Sequence, residues 1–128
     1  DIFLNLPTDY LKEAFNGSTS AEEYQSICPD EPSPEKAELW EVAREQSCKL
    51  GWKPYMHNQT LKHLLHRLKS LETFIIWGSE DNIVPIDAGR IYSESIPGSV
   101  LDVMKGLGHR PEIEDPDEFT TRVLKFLK

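Results

Sequence analysis

The run TFIIW at residues 73–77 constrains this chain more than any other feature. It is short, β-branched and aromatic, and it shows no alternation with polar residues. It therefore reads as a strand covered on both faces, the pattern of a parallel sheet. The segments that follow fit one. PIDAGRIYSESI (85–96) reads as a helix with Ala88, Ile91, Tyr92, Ser95 and Ile96 on one side. PGSVLDVMKG (97–106) gives a turn and a second strand near 99–104. DPDEFTTRVLKFLK (115–128) is a signposted helix: Asp115 can cap it, Pro116 takes the first helical position, and Glu118 stands where a capping box wants an acid. Phe119, Val123, Phe126 and Leu127 form its apolar stripe.

Strand, helix, strand, helix predicts two parallel strands joined by a right-handed crossover. Parallel strands finish at the same edge of the sheet, where ligands of open α/β sheets bind. The loops GSEDN (78–82) and GLGHRPE (106–112) therefore share one rim. Neighbouring strands lie about 4.8 Å apart. Asp81 and His109 are thus brought close although 28 positions separate them.

The first half has a different texture. Residues 1–70 are polar and helix-like, broken at NGSTS, CPDEPSPEK and GWKPYMHN, with no strand pattern and no repeat. Ser33, Pro34 and Glu35 mark a helix start, and Leu39, Ala43, Gln46, Ser47 and Leu50 fall on one face beyond it, flanked by Trp40. A second helix carries Leu61, Leu64, Leu65 and Leu68. The division expected is a helical region at 1–70 and an α/β portion at 71–128.

The totals narrow the partners. With 128 residues the chain can bury one core, and a net charge of -8 argues against phosphate backbones or anionic lipid. No apolar run approaches the roughly 20 residues of a membrane span. The opening DIFLNLPTDY has no basic region, no signal-like segment and no initiator methionine, so a processed, tagged or cut chain is expected. Cys28 and Cys48 are expected as free thiols of a cytoplasmic protein, and the sequons at Asn16 and Asn58 matter only in a secreted one.

A carboxylate behind an imidazole is two-thirds of a nucleophilic apparatus. The acid fixes the tautomer; the imidazole takes a proton from the nucleophile and later gives it to the leaving group. Gly106 and Gly108 permit a tight loop before His109. The plainer readings are a helix-capping acid for Asp81 and a turn histidine for His109, with Glu80 a solvated neighbour. His63 and His66, three positions apart, have no third ligand at metal spacing and read as surface or lid residues, as does His57.

WGSEDNIVP (77–85) with IPGSVLDVMKGLGHRPEIEDPDEFTTRVLKFL (96–127) resembles the C-terminal part of an α/β-hydrolase: the loop after the seventh strand, the eighth strand, the histidine loop and the last helix. The resemblance covers residues 71–128. It implies a partial α/β-hydrolase fold, with Asp81, third after the glycine, as catalytic acid and His109, after a glycine, as catalytic histidine. Arg110 departs from the apolar or aromatic residue common there. The helical half resembles the family's lid, and GWKPYMHN is similar to a segment of lid-bearing members. Trp52, Tyr55 and Met56 in it are candidates for a substrate pocket, or they simply pack the lid on its base.

The nucleophile elbow G-x-S-x-G does not occur; in NGSTSA the glycine and serine are adjacent and no second glycine follows. The oxyanion-hole donors would also come from the absent N-terminal half. The expectation is a hydrolase portion for a small, apolar, ester-like substrate, needing no cofactor and inert alone. The alternative is a non-catalytic interaction module. Two parallel strands also leave an edge, so self-association through the edge of the first strand is expected.

Overall fold

The computed structural model describes residues 7–16, 22–51, 58 and 60–128. Trp52, Tyr55, Met56 and His57 lie outside the described residues. The helical half contains α1 (Pro7–Ala14), α2 (Glu22–Ile27), α3 (Pro34–Gly51) and α4 (Leu61–Leu64), which runs into a 3₁₀ turn, Leu65–Leu68. The α/β portion contains β1 (Phe74–Gly78), α5 (Ile86–Ser95), β2 (Val100–Met104), α6 (Pro111–Glu114) and α7 (Pro116–Phe126). Among the described residues no helix is long and apolar enough to cross a membrane.

Helix α3 begins where Ser33 predicts. The Ser33 hydroxyl accepts from Lys36 N at 3.2 Å, and Glu35's own backbone amide and then this hydroxyl hold the Glu35 carboxyl below its ordinary range. The face expected to be covered is not. Leu39 is 64% exposed and Leu50 81%, and none of the helix's described residues is buried. Only Trp40, at the flank, docks.

What is buried in this half comes from the two short helices and the turns beside them. Ala14, Phe15, Tyr24 and Cys28 form the cluster, with Phe15 edge-on to Tyr24 at 5.1 Å between centroids. Ile83 and Ile113 of the α/β portion pack against it. The cluster therefore sits beneath the rim and joins the two halves of the chain. Of the four leucines at 61, 64, 65 and 68, only Leu65 is buried, where the 3₁₀ turn meets α5. Cys28 and Cys48 are free thiols.

The strands pair in parallel, with Phe74 opposite Val100, Ile76 opposite Asp102 and Gly78 opposite Met104. Alternation along a strand sends Phe74 and Trp77 to opposite faces. Phe74 stacks on Phe126 of α7 at 4.8 Å. Trp77 lies against α5 at Gly89, where an added Cβ would stand 3.0 Å from the indole. Asp102 and Glu118 both hold Arg122, which ties α7 to its face of the sheet. Helix α7 starts as the sequence predicts, with the Asp115 side chain accepting from Glu118 N at 3.1 Å. The Glu118 carboxylate completes no capping box; it turns to Arg122 instead.

The expectation of a strand covered on both faces holds only in part. Residues 74–77 are half-buried, and Val100 is 50% exposed. Two strands are the whole sheet among the described residues, so β1 has β2 on one side and no partner on the other.

Candidate active site

Gly78 ends β1, and the chain turns at once into the acid loop. The histidine loop crosses directly over it. A Cβ on Gly78 would stand 1.9 Å from the Gly108 carbonyl oxygen and 2.4 Å from that of Leu107. Only glycine leaves room for that crossing. The loops are then stitched together: Ser79 N donates to Met104 O (3.0 Å), Glu80 N to Leu107 O (2.9 Å), and Gly106 N to Ser79 Oγ (2.8 Å). Gly106, at φ +80°, makes the reversal after β2.

Asp81 and His109 meet at this rim. Asp81 Oδ2 stands 2.8 Å from His109 Nδ1. The second oxygen, Oδ1, accepts from Ile83 N at 2.9 Å and Val84 N at 2.8 Å. Asp81 thus folds the turn before α5 with one oxygen and meets the imidazole with the other; it does not cap α5, whose N-cap is Pro85 with no side-chain bond. A carboxylate accepts only, so His109 donates from Nδ1, and in the neutral ring Nε2 is then the lone-pair nitrogen. That nitrogen has no partner among the described residues. The acid side chain is 4% exposed and the imidazole 28%. The carboxylate is shielded and the imidazole remains reachable.

A pocket of about 150 Å³ opens beside the pair, lined by Ile76, Trp77, Gly78, Asp81, His109 and Pro111. Trp77 is held there by its indole N–H, which donates to Val84 O at 3.0 Å. Arg110 does not reach into this wall; it turns outward to Glu112 at 2.6 Å, and buried Pro111 takes its place. Glu80 is exposed and accepts from Ser79 Oγ, while His63 and His66 are both exposed.

Sequence reasoning missed two groups at the site. The Glu114 carboxylate accepts from Gly108 N at 2.8 Å and from Asn16 N at 2.9 Å. Asn16 Nδ2 donates to Gly106 O at 2.9 Å, and His109 N donates to Ala14 O at 2.7 Å. The end of α1 is therefore bound to the histidine loop. No periodicity marks such groups, because their partners are main-chain atoms.

No family model matches the chain. A stretch of 56 residues is 41% identical to the 2-hydroxy-6-oxononadienedioate/2-hydroxy-6-oxononatrienedioate hydrolase of Escherichia coli, covering 44% of this chain and 19% of that protein. Among solved structures, a serine hydrolase involved in carbazole degradation superposes over 93% of this chain and 45% of its own, with a TM-score of 0.69 at 19% identity. The 2-hydroxy-6-oxo-6-phenylhexa-2,4-dienoate hydrolase of Rhodococcus sp. strain RHA1 does so over 94% and 40%, with a TM-score of 0.65 at 19% identity. An esterase from Exiguobacterium antarcticum gives 92% and 40%, with a TM-score of 0.62 at 18% identity. The chain spans less than half the length of each of these proteins. With its strand order, its crossing loops and these likenesses taken together, the chain has a partial α/β-hydrolase fold, similar to the C-terminal part of such proteins.

Proposed function

We propose that this chain supplies the acid–base half of a serine-hydrolase-type active site, with the nucleophile contributed by a segment or partner outside these 128 residues. One observation carries the reading: Asp81 Oδ2 holds His109 Nδ1 at 2.8 Å while Nε2 is unpartnered among the described residues beside a pocket. His109 Nε2 takes the proton of the attacking hydroxyl as the carbonyl is attacked. Asp81 stabilises the imidazolium so formed, and His109 returns the proton to the leaving group. The substrate class is a small ester or related oxo acid, the kinds of compound that the names of the similar hydrolases give.

The helical half fits a lid. Its apolar α3 face is exposed, as the underside of a lid is when its base is elsewhere. Trp52, Tyr55 and Met56 are the candidates in that half for substrate contact.

The test is complementation. The chain alone should show no turnover of short aryl esters above background. Joined to an upstream segment bearing strand–G-x-S-x-G–helix, it should hydrolyse them. His109→Ala should then remove activity, and Asp81→Asn should lower it about 10⁴-fold by forcing the wrong tautomer. Turnover by the chain alone, abolished by His109→Ala, would place the nucleophile within this sequence and overturn the proposal.

The outer edge of β1, unpaired among the described residues, favours a second reading, a non-catalytic module that adds a strand from another copy. A concentration-dependent dimer, together with upstream sequence that lacks the nucleophile motif, would favour it over the enzyme.

A further inference from the structure

We infer that Glu114 is a positioning residue for His109, and that through it the aim of the catalytic base is set by the helical half of the chain. The inference rests on the acid–base role proposed for His109. The geometry behind it is a closed ring. Glu114 Oε1 accepts from Gly108 N, the residue immediately before His109, at 2.8 Å. Its Oε2 accepts from Asn16 N at 2.9 Å, 98 positions away in sequence. Two residues before Asn16, the Ala14 carbonyl accepts from His109 N at 2.7 Å. The Asn16 side chain adds a bond to Gly106 O at 2.9 Å. The main chain leading into the imidazole's Cα is thus fixed to the end of α1.

A carboxylate is the group this place requires. Two amide donors from different segments converge on it, and each of its oxygens serves one of them. The approach is close: a Cβ on Gly108 would stand 2.7 Å from Asn16 N, 2.8 Å from Ala14 O and 3.0 Å from Glu114 Oε1. Gly108 is buried, so water is poorly placed to replace the carboxylate. Glu114 is also delivered rigidly. It is the last residue of α6, its own amide donates to Arg110 O at 3.0 Å, and Ile113 beside it packs on the Ala14–Cys28 cluster. A shift of the helical half therefore moves Asn16, Glu114 and the His109 main chain together. Asp81 is held by amides of its own loop, so the bonds of Glu114 act on the histidine side of the pair.

The test uses the full chain and needs no turnover. Long-range ¹H–¹⁵N correlation reports which ring nitrogen of His109 carries the proton, and amide exchange reports the ring of hydrogen bonds. In the wild type, His109 should be held as the Nδ1–H tautomer. In Glu114→Ala, the amides of Asn16, Gly108 and His109 should exchange about tenfold faster or more. His109 should become a mixture of tautomers, while the β1–β2 ladder amides stay protected. Glu114→Gln keeps one acceptor and the side-chain shape, so it should release only one of the two amides and fall between the two. It also serves as the readout if the alanine variant does not fold. Glu112→Gln, which removes only the outward partner of Arg110, should change neither signal.

A folded Glu114 variant with wild-type exchange at Gly108 and His109 and an unaltered tautomer would overturn the inference. Mixed tautomers in the wild type would overturn both this inference and the acid–base reading. Failure of the esterase complementation with the tautomer result intact would remove the enzyme and leave the positioning geometry standing.

Discussion

Helix α3 and the rim of the sheet are opposite kinds of structure. The helix is 18 residues long, and none of its described residues is buried. The rim is two short loops in which glycine, carboxylate and main-chain amides pack without slack around one imidazole. The difference shows where this chain is self-sufficient. The rim's hydrogen bonds close among its own atoms and those of residues 14–16. The apolar face of α3 has no counterpart among the described residues, and β1 likewise has one free edge. One part closes on itself through hydrogen bonds, while the other leaves its apolar groups uncovered among the described residues.

The largest effect expected from that contrast is at Gly78. Gly78→Ala pushes a methyl group into the carbonyls of Gly108 and Leu107, at 1.9 Å and 2.4 Å, and both obstacles are backbone that cannot swing away. Destabilisation of about 3 kcal/mol or more in urea unfolding is expected, with loss of the Asp81–His109 contact in whatever still folds. Gly98→Ala is the control: Gly98 has φ +79° but open space around it, so only the backbone penalty of about 1–2 kcal/mol applies. Equal effects at the two glycines would mean that the crossing of the loops is looser than this geometry.

The rim was legible in the sequence because its parts stand at fixed offsets from strand ends. Asp81 and His109 each follow a glycine that closes a predicted strand, and two parallel strands leave such loops only one side to share. Asp115 was legible for the same reason, as a cap next to a proline. Glu114 was not, because it works on main-chain amides, one of them 98 positions away in sequence, and a main-chain donor has no residue type. The buried cluster of the helical half also escaped. Tyr24 belongs to a helix of six residues, too short to display a period, and Phe15 and Cys28 lie in turns. In α3 the period was plain, but it showed only which residues share a face. Whether anything covers that face is set by tertiary context, and here Trp40 at the flank is what docks.

A middling effect is expected at Tyr24, within the helical half. Its hydroxyl is buried and makes no hydrogen bond of good geometry among the described residues, with the Cys28 side chain beside it. Burial first, and then Cys28, push the phenol well above its ordinary value of 10.0. The unfolded chain can therefore release this proton at a pH where the folded one cannot. Stability is fully present below pH 10 and falls above it, by up to about 1.4 kcal/mol per pH unit from this one group. Tyr24→Phe should flatten that fall. At neutral pH the same change should be neutral or stabilising by up to about 1 kcal/mol, since the hydroxyl has little to lose. A clear loss of stability at neutral pH would show a hydrogen bond to this phenol.

The smallest effect expected is on α3, and it bears most directly on the contrast. Leu39→Lys and Leu50→Lys change residues that are 64% and 81% exposed. Each should alter the thermal unfolding free energy of the isolated chain by no more than about 0.5 kcal/mol. In a protein completed by its nucleophile-bearing half, the covered position of the two should lose several times more, because a lysine would then be desolvated against the base of the lid. The double measurement separates the two readings of this helix. Small effects in both settings would make α3 an ordinary solvated helix and withdraw the lid from the proposed function. A large effect already in the isolated chain would mean that copies of it cover this face for one another, and a mass measurement on the same samples would show that directly.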